Sequence, residues 1–335
     1  MKSVRVIAVI VLSVSVLGCC IWLSATHVPV LDLSAANAAG DDEDLLTALS
    51  EGCANAASAI RSGRGHVRTY FWRKKGDDDV LETETESYLT FKGEQFLLRE
   101  ETKYLTVPVT PNRDPSEPPP PTVVNVTASY DLERVTIVTQ SDSLPTHATI
   151  TDSTRVSGIG QLNVYKTFIA VLGHGVDYLV PRPEDLPPVA EVTSAKIVGR
   201  ETIEGDECIV VDVAVTVSVP GGDNAVSTVR KWVDLDKGYT IVRTRIWQER
   251  EVDAARTLIS ESSTTVRQYG DDVWGPDTFT WQQYDLEGDV THRGTTAYGP
   301  DFQLNVPVSD NELALALPSG TKVYNELIDV QYTVP

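Results

Sequence analysis

Val16-Leu17-Gly18-Cys19 carries the most definite chemistry in the chain: a thiol placed directly after a small residue, inside an uncharged apolar run that follows Lys2 and Arg5. A short basic start, an apolar core and a small residue before cysteine form the pattern of a bacterial secretory leader that ends in a lipidation site. On that reading Cys19 receives a diacylglycerol and becomes the membrane anchor. Two other outcomes fit the same residues. Ser34-Ala35-Ala36 and Ala36-Asn37-Ala38 offer small residues for ordinary cleavage, and an uncut Val6 to Thr26 meets the roughly 20 residues needed to span a bilayer. Each outcome carries residues 41 to 335 across a membrane, to the periplasmic side of a cell envelope.

The rest of the chain is poor in reactive constellations. Asp234-x-Asp236-x-Gly238 resembles the start of a calcium loop, but its glycine falls one position early and the closing glutamate is missing, so a hairpin turn is expected. His66, His147, His174 and His292 are scattered, and no His-Glu-x-x-His or paired Cys-x-x-Cys gives metal-ligand spacing. No nucleophile elbow, phosphate loop or dinucleotide fingerprint occurs. Carboxylates are abundant, and a hydrolase using two of them is the one enzymatic alternative, yet no linear pattern selects a pair. We therefore assign no catalytic residue, metal or cofactor. Cys53 and Cys208 could pair in an exported protein, or stand as two buried small apolar residues.

Composition narrows the partners. With 41% apolar residues the body is large enough for a sizeable core, and a formal charge of −20 excludes a phosphate-neutralising nucleic-acid surface. Such an acidic body gains nothing electrostatically from anionic lipid. Membrane attachment must come from the N-terminal anchor.

The elements that would position a site follow from periodicity. Residues 41 to 62 place Leu45, Leu46, Leu49, Cys53, Ala56 and Ile60 on one helical face, with four acids at the positive end of the helix dipole. From His66 onward the texture alternates: HVRTYFWR, VLETETESYLTF and EQFLLREETKYLTV read as strands, joined in part by a turn at Lys92-Gly93. PNRDPSEPPPPT, 111 to 122, is a polyproline loop. Ile159 to Leu172 reads as an apolar helix that must lie against a sheet, and a proline-rich passage at 180 to 192 leads into a second meander with turns at Glu204-Gly205, Asp236-Lys237-Gly238 and Glu287-Gly288. The class expected is α+β: a large curved antiparallel sheet of about ten strands, an incomplete β-barrel, with helices packed on its concave face. Residues 1 to 40 form the leader and linker, and 41 to 335 a single half-barrel domain.

Aromatic residues in the strands mark a candidate apolar lining. Phe71, Trp72, Phe96, Trp232, Trp247 and Trp281, with Phe168 and Ile169 of the expected helix, could enclose an apolar ligand on one face of the sheet.

The order of elements resembles the outer-membrane lipoprotein-sorting (LolA-like) superfamily. The resemblance covers roughly residues 44 to 334 and rests on Ser62-Gly63-x-Gly65, the hairpin TFKGEQFLLRE, Trp232, Asp234 and Gly238 of RKWVDLDKGYTIVR, Trp274 with Pro276, and Pro318, Gly320 and Val323 near the end. It implies an incomplete antiparallel barrel whose hydrophobic cavity receives acyl chains. The expectation is a non-enzymatic, membrane-attached protein that holds an acyl chain or a lipidated protein. The alternative is a structural or protein-interaction module whose core is filled by its own side chains.

Overall fold

The computed structural model describes residues 42–93, 95–105, 122–141, 144–151, 190–217, 225–249, 256–270 and 273–335. The leader with Cys19, residues 111–121 and 180–189 of the proline-rich segments, and the helix expected over 159–172 with Phe168 and Ile169 lie outside the described residues. The chain begins with α1 (Asp42–Ala59), β1 (Ser62–Lys75), β2 (Asp78–Lys92), β3 (Gln95–Tyr104), β4 (Thr122–Tyr130), β5 (Val135–Ser141) and β6 (Leu144–Thr151). A second series comprises β7 (Ala190–Ile203), β8 (Asp206–Val217), β9 (Ala225–Asp234), β10 (Thr240–Glu249), β11 (Arg256–Gly270), β12 (Val273–Tyr284) and β13 (Val290–Tyr298). It closes with β14 (Gln303–Leu304), the helical turn α2 (Asp310–Leu313), β15 (Lys322–Asn325) and β16 (Val330–Thr333). The class is α+β with unclosed antiparallel sheet, and the described residues hold sixteen strands where about ten were expected.

Two compact units divide these elements: α1 with β7 to β12, and β1 to β6 with β13 from His292 onward, β14, α2, β15 and β16. In the first unit the strands follow chain order as an antiparallel meander, with β7 at an outer edge. Ile209, Val211, Val213 and Val215 alternate along β8 to one face and meet Leu49 and Cys53 of α1. This is the apolar helical stripe read from sequence, and each fully buried Leu or Val there contributes about 2 kcal/mol of transfer free energy. Gly52 lets the helix sit close, since a Cβ there would stand 2.3 Å from the Tyr239 ring.

The hairpin at Asp234 is a turn built on a buried carboxylate. Asp234 accepts the Lys237 amide at 3.1 Å, Lys237 Nζ lies 3.5 Å from its second oxygen and 2.6 Å from Asp206, and Thr240 donates to the Lys237 carbonyl. A lysine ammonium thus stands where a calcium reading would put the cation. Gly238 takes a left-handed φ of 70°, and Trp274 packs within 3.1 Å of where its Cβ would be, which joins two of the motifs singled out in the sequence. Cys53 lies under the helix, whereas Cys208 belongs to a separate cluster with Val210 and Trp232. Both are buried and neither forms a disulfide, Cys53 donating to the Tyr239 carbonyl at 3.3 Å, and the sheet stands between them.

Among the described residues, the face of the first unit turned away from α1 is covered by arginine. Asp212 receives Arg230 at 2.6 and 2.9 Å, Arg243 and Arg245 both donate to Glu261, and Glu201 accepts the Trp232 indole N–H at 2.9 Å. Guanidinium groups of Arg243 and Arg245 lie over Trp232, and those of Arg230 and Arg256 over Trp247. Arginine stems cover apolar surface while their heads reach water.

In the second unit the strand order is β16-β15-β6-β5-β4-β3-β2-β1-β13, with β14 on β1 and one parallel pair, β6 with β15. Val138, Ala148, Ile150 and Val323 form a buried cluster under Leu315, Leu317 and Val334 of the C-terminal segment. That segment is pinned by Arg64 to Glu312 at 2.6 Å and Lys92 to Asp310 at 2.8 Å. Gly320 and Pro318 form its last turn, bonded to Val334 and Thr321.

Glu261 gives a direct test of the arginine cover. Burial alone would raise its carboxyl, but hydrogen bonds from Arg243 and Arg245 outweigh that and hold it below the ordinary value of 4.5. A carboxyl lowered in the fold stabilises above its unfolded value and loses that contribution as pH falls through the folded one. Glu261→Ala is expected to cost about 1 to 2 kcal/mol at pH 7 in urea unfolding, with the difference from wild type shrinking at pH 3. A cost independent of pH would contradict the pairing.

Candidate functional site

The register of the second unit divides every strand between two faces. Pairing of β1, β2, β3 and β4 brings Thr69, Thr85, Thr102 and Val124 into one row, and the adjacent row holds Val67, Ser87, Glu100 and Val126. A further step toward the β1 start gives Gly65, Leu89, Leu98 and Ala128. One face therefore runs from an apolar end to a hydroxyl-lined end along the strand direction. The opposite face carries Arg68, Glu86, Arg99, Glu101 and Lys103, which are exposed or half-exposed.

At the apolar end the side chains are packed out. Leu89, Phe91, Phe96 and Leu98 are no more than 2% exposed. Toward the other end Thr83, Thr85, Glu100 and Val124 are only half-buried and Tyr104 is 37% exposed. Glu100 stands at the boundary. Among the described residues it is the only charged side chain of this face between Gly63 and Phe71 of β1 and across β2 to β4 in register with them; beyond Phe71 the same face carries Arg73, paired with Glu82 at 3.1 Å. Thr102 donates to its Oε1 at 3.1 Å, Thr85 and Thr102 share a hydrogen bond of 3.0 Å, and the Ser87 hydroxyl donates to it as well. Farther along, Thr69 and Thr296 are bonded at 3.2 Å.

The balance of these terms leaves the carboxylate under-solvated. Burial raises the Glu100 carboxyl above 4.5, and the hydrogen bonds from Thr102 and Ser87 lower it by less. The Tyr104 phenol is raised too, first by burial and then by the Glu100 charge. An acceptor of this kind gains from any donor or cation brought against it. The arrangement is suited to binding: among the described residues it supplies an acceptor and hydroxyls beside apolar surface.

The residues expected to line an apolar site are distributed over several faces. Phe71 and Phe96 share the Glu100 face, Phe71 stacked on His292 and Phe96 against Tyr130. Trp72 follows a bulge after Phe71, stacks on Tyr70 and lies under Arg293 on the opposite face. Trp232 and Trp247 belong to the arginine-covered face of the first unit, and Trp281 is in register with Ser262 on the α1 side. Sequence reading passed over Glu100 itself. Its signal was present: Thr83, Thr85 and Ser87 alternate with Glu82, Glu84 and Glu86, and in Glu100-Glu101 strand alternation must turn one carboxylate inward.

No protein-family model matches the chain, and no curated protein matches it. Two solved structures to which it is similar are a DUF1329 family protein from Desulfovibrio piger and a LolA superfamily protein from Nitrosomonas europaea. The first has a TM-score of 0.39 and 11% identity over 80% of this chain and 97% of that one. The second has a TM-score of 0.37 and 10% identity over 79% and 97%.

A carboxyl raised in the fold contributes stability below its unfolded value and loses it as pH rises through the folded value. Glu100→Gln keeps the shape and removes the charge, so it is expected to melt at a higher temperature than wild type at pH 7, with the gain disappearing below pH 4.5. A lower melting temperature at pH 7 would show the carboxylate to be adequately solvated where it stands.

Proposed function

We propose that this chain is a non-enzymatic lipid- or lipoprotein-binding protein of a bacterial cell envelope, exported by its leader and attached to the membrane through Cys19. The observation that carries the reading is the graded face of the second unit, apolar at one end, hydroxyl-lined and partly open at the other. A sheet face that only needed to be core would be apolar throughout, because unexchanged hydroxyls and a carboxylate in such a place cost stability. Proteins retain such costs where a ligand offsets them. The leader and the resemblance of the Trp232-Asp234-Gly238 and Pro318-Gly320-Val323 motifs support the same reading. The near-complete burial of Leu89, Phe91 and Phe96 favours the alternative, a module filled by its own side chains.

One preparation separates them. Protein purified from its native host is extracted with organic solvent and both fractions are weighed by mass spectrometry. The expected result is a non-covalent lipid in the extract and a chain that begins at Cys19 with acyl mass added. An extract without lipid, together with no binding of a fluorescent acyl probe, would leave the self-filled module.

A further inference from the structure

The Glu100 face also has a chemical preference that lipid binding alone does not specify. Around Glu100 its charge is of one sign. Arg68, Arg99 and Lys103 alternate to the other face, and Arg73, which shares this face beyond Phe71, is paired with Glu82 at 3.1 Å, well along β1 from Val67 of the Glu100 row. Its hydrogen-bond partners are hydroxyls that already spend their protons. Thr102 donates to Glu100 and takes its own bond from Thr85, and Ser87 donates as well, so the cluster presents oxygen lone pairs outward. Half-buried Val124 and Ile137 of the same face flank it with apolar surface.

We infer that this face selects the head group of an amphiphile: one that donates hydrogen bonds, an ammonium or a hydroxyl, is seated on Glu100, and a carboxylate or phosphate is turned away. The inference rests on the lipid-binding reading above and adds the class of ligand to it. A donor head restores the solvation Glu100 lost on burial, whereas an anionic head would bring a second negative charge against a carboxylate that has no cation beside it among the described residues. Specificity thus comes from one repulsive element, the carboxylate, as much as from the attractive hydroxyls.

The test uses four hexadecyl compounds that differ only in the head: hexadecylammonium, monopalmitoylglycerol, palmitate and hexadecyl phosphate. Each displaces a fluorescent acyl probe from the full chain at pH 7.5 and physiological salt. The ammonium and glycerol heads are expected to bind at least tenfold more tightly than the two anions. Glu100→Gln should bring palmitate and the ammonium within about threefold of each other and leave the glycerol compound nearly unchanged. Glu101→Gln, on the opposite face, removes the same charge and should leave the wild-type ranking intact, which separates a seat on Glu100 from general attraction to an acidic protein. Equal binding of all four heads by wild type, or a ranking untouched in Glu100→Gln, overturns head-group selection while lipid binding stands. Failure of all four to bind overturns both. The wild-type ranking needs no variant and decides the matter even if Glu100→Gln misfolds.

Discussion

A β-strand shows its side chains alternately to two faces, and each face of a sheet must be either covered or wetted. That constraint governs both units of this chain. In the first, α1 covers one face with Leu49 and Cys53 while arginines cover the other, their guanidinium groups held by Asp212 and Glu261 and laid over Trp232 and Trp247. In the second, the C-terminal segment covers Val138, Ile150 and Val323, and charged side chains such as Arg68, Glu86 and Glu101 wet another part of that face. The face bearing Glu100 follows neither solution throughout. It passes from packed phenylalanine and leucine to half-buried threonine within single strands.

This gradient connects energetics to function. A carboxylate surrounded by hydroxyls, with no charged neighbour of its own row, is a poor use of interior space for stability, since its hydrogen bonds do not compensate its burial. The same poor fit makes it receptive. Groups left short of solvation are where a ligand's donors gain most, and an apolar border supplies the rest of an amphiphile's interaction. Tyr104 and Val124, at the open end, provide the rim.

Much of the fold was legible before the structure. The α1 stripe, the β1–β3 and β7–β13 hairpins and the turns at Gly93, Gly205, Gly238 and Gly288 follow from periodicity and glycine placement. The strand count fell short because β4 to β6 lack such punctuation: between β4 and β5 the left-handed position is taken by Leu132, at φ 79°, which no turn rule would select. The faces of the aromatics were not legible either. Phe71 and Trp72 are adjacent and so point to opposite faces, and the extra residue Val242 between Ile241 and Arg243 shifts the alternation of β10, so parity counted from Ile241 sends Trp247 to the wrong side. Glu100 escaped notice because charged residues in strands ordinarily face water, and only the register with Ser87 and Val126 shows that this one does not.

The central claim, that the hydroxyl-graded face of the second unit is where the ligand lies, is tested most directly by photocrosslinking with an acyl chain carrying a diazirine, followed by peptide mapping. The account predicts adducts on peptides from β1 to β4, concentrated around Thr83, Thr85, Glu100 and Val124. Adducts confined to the strands of Trp232 and Trp247 would contradict it.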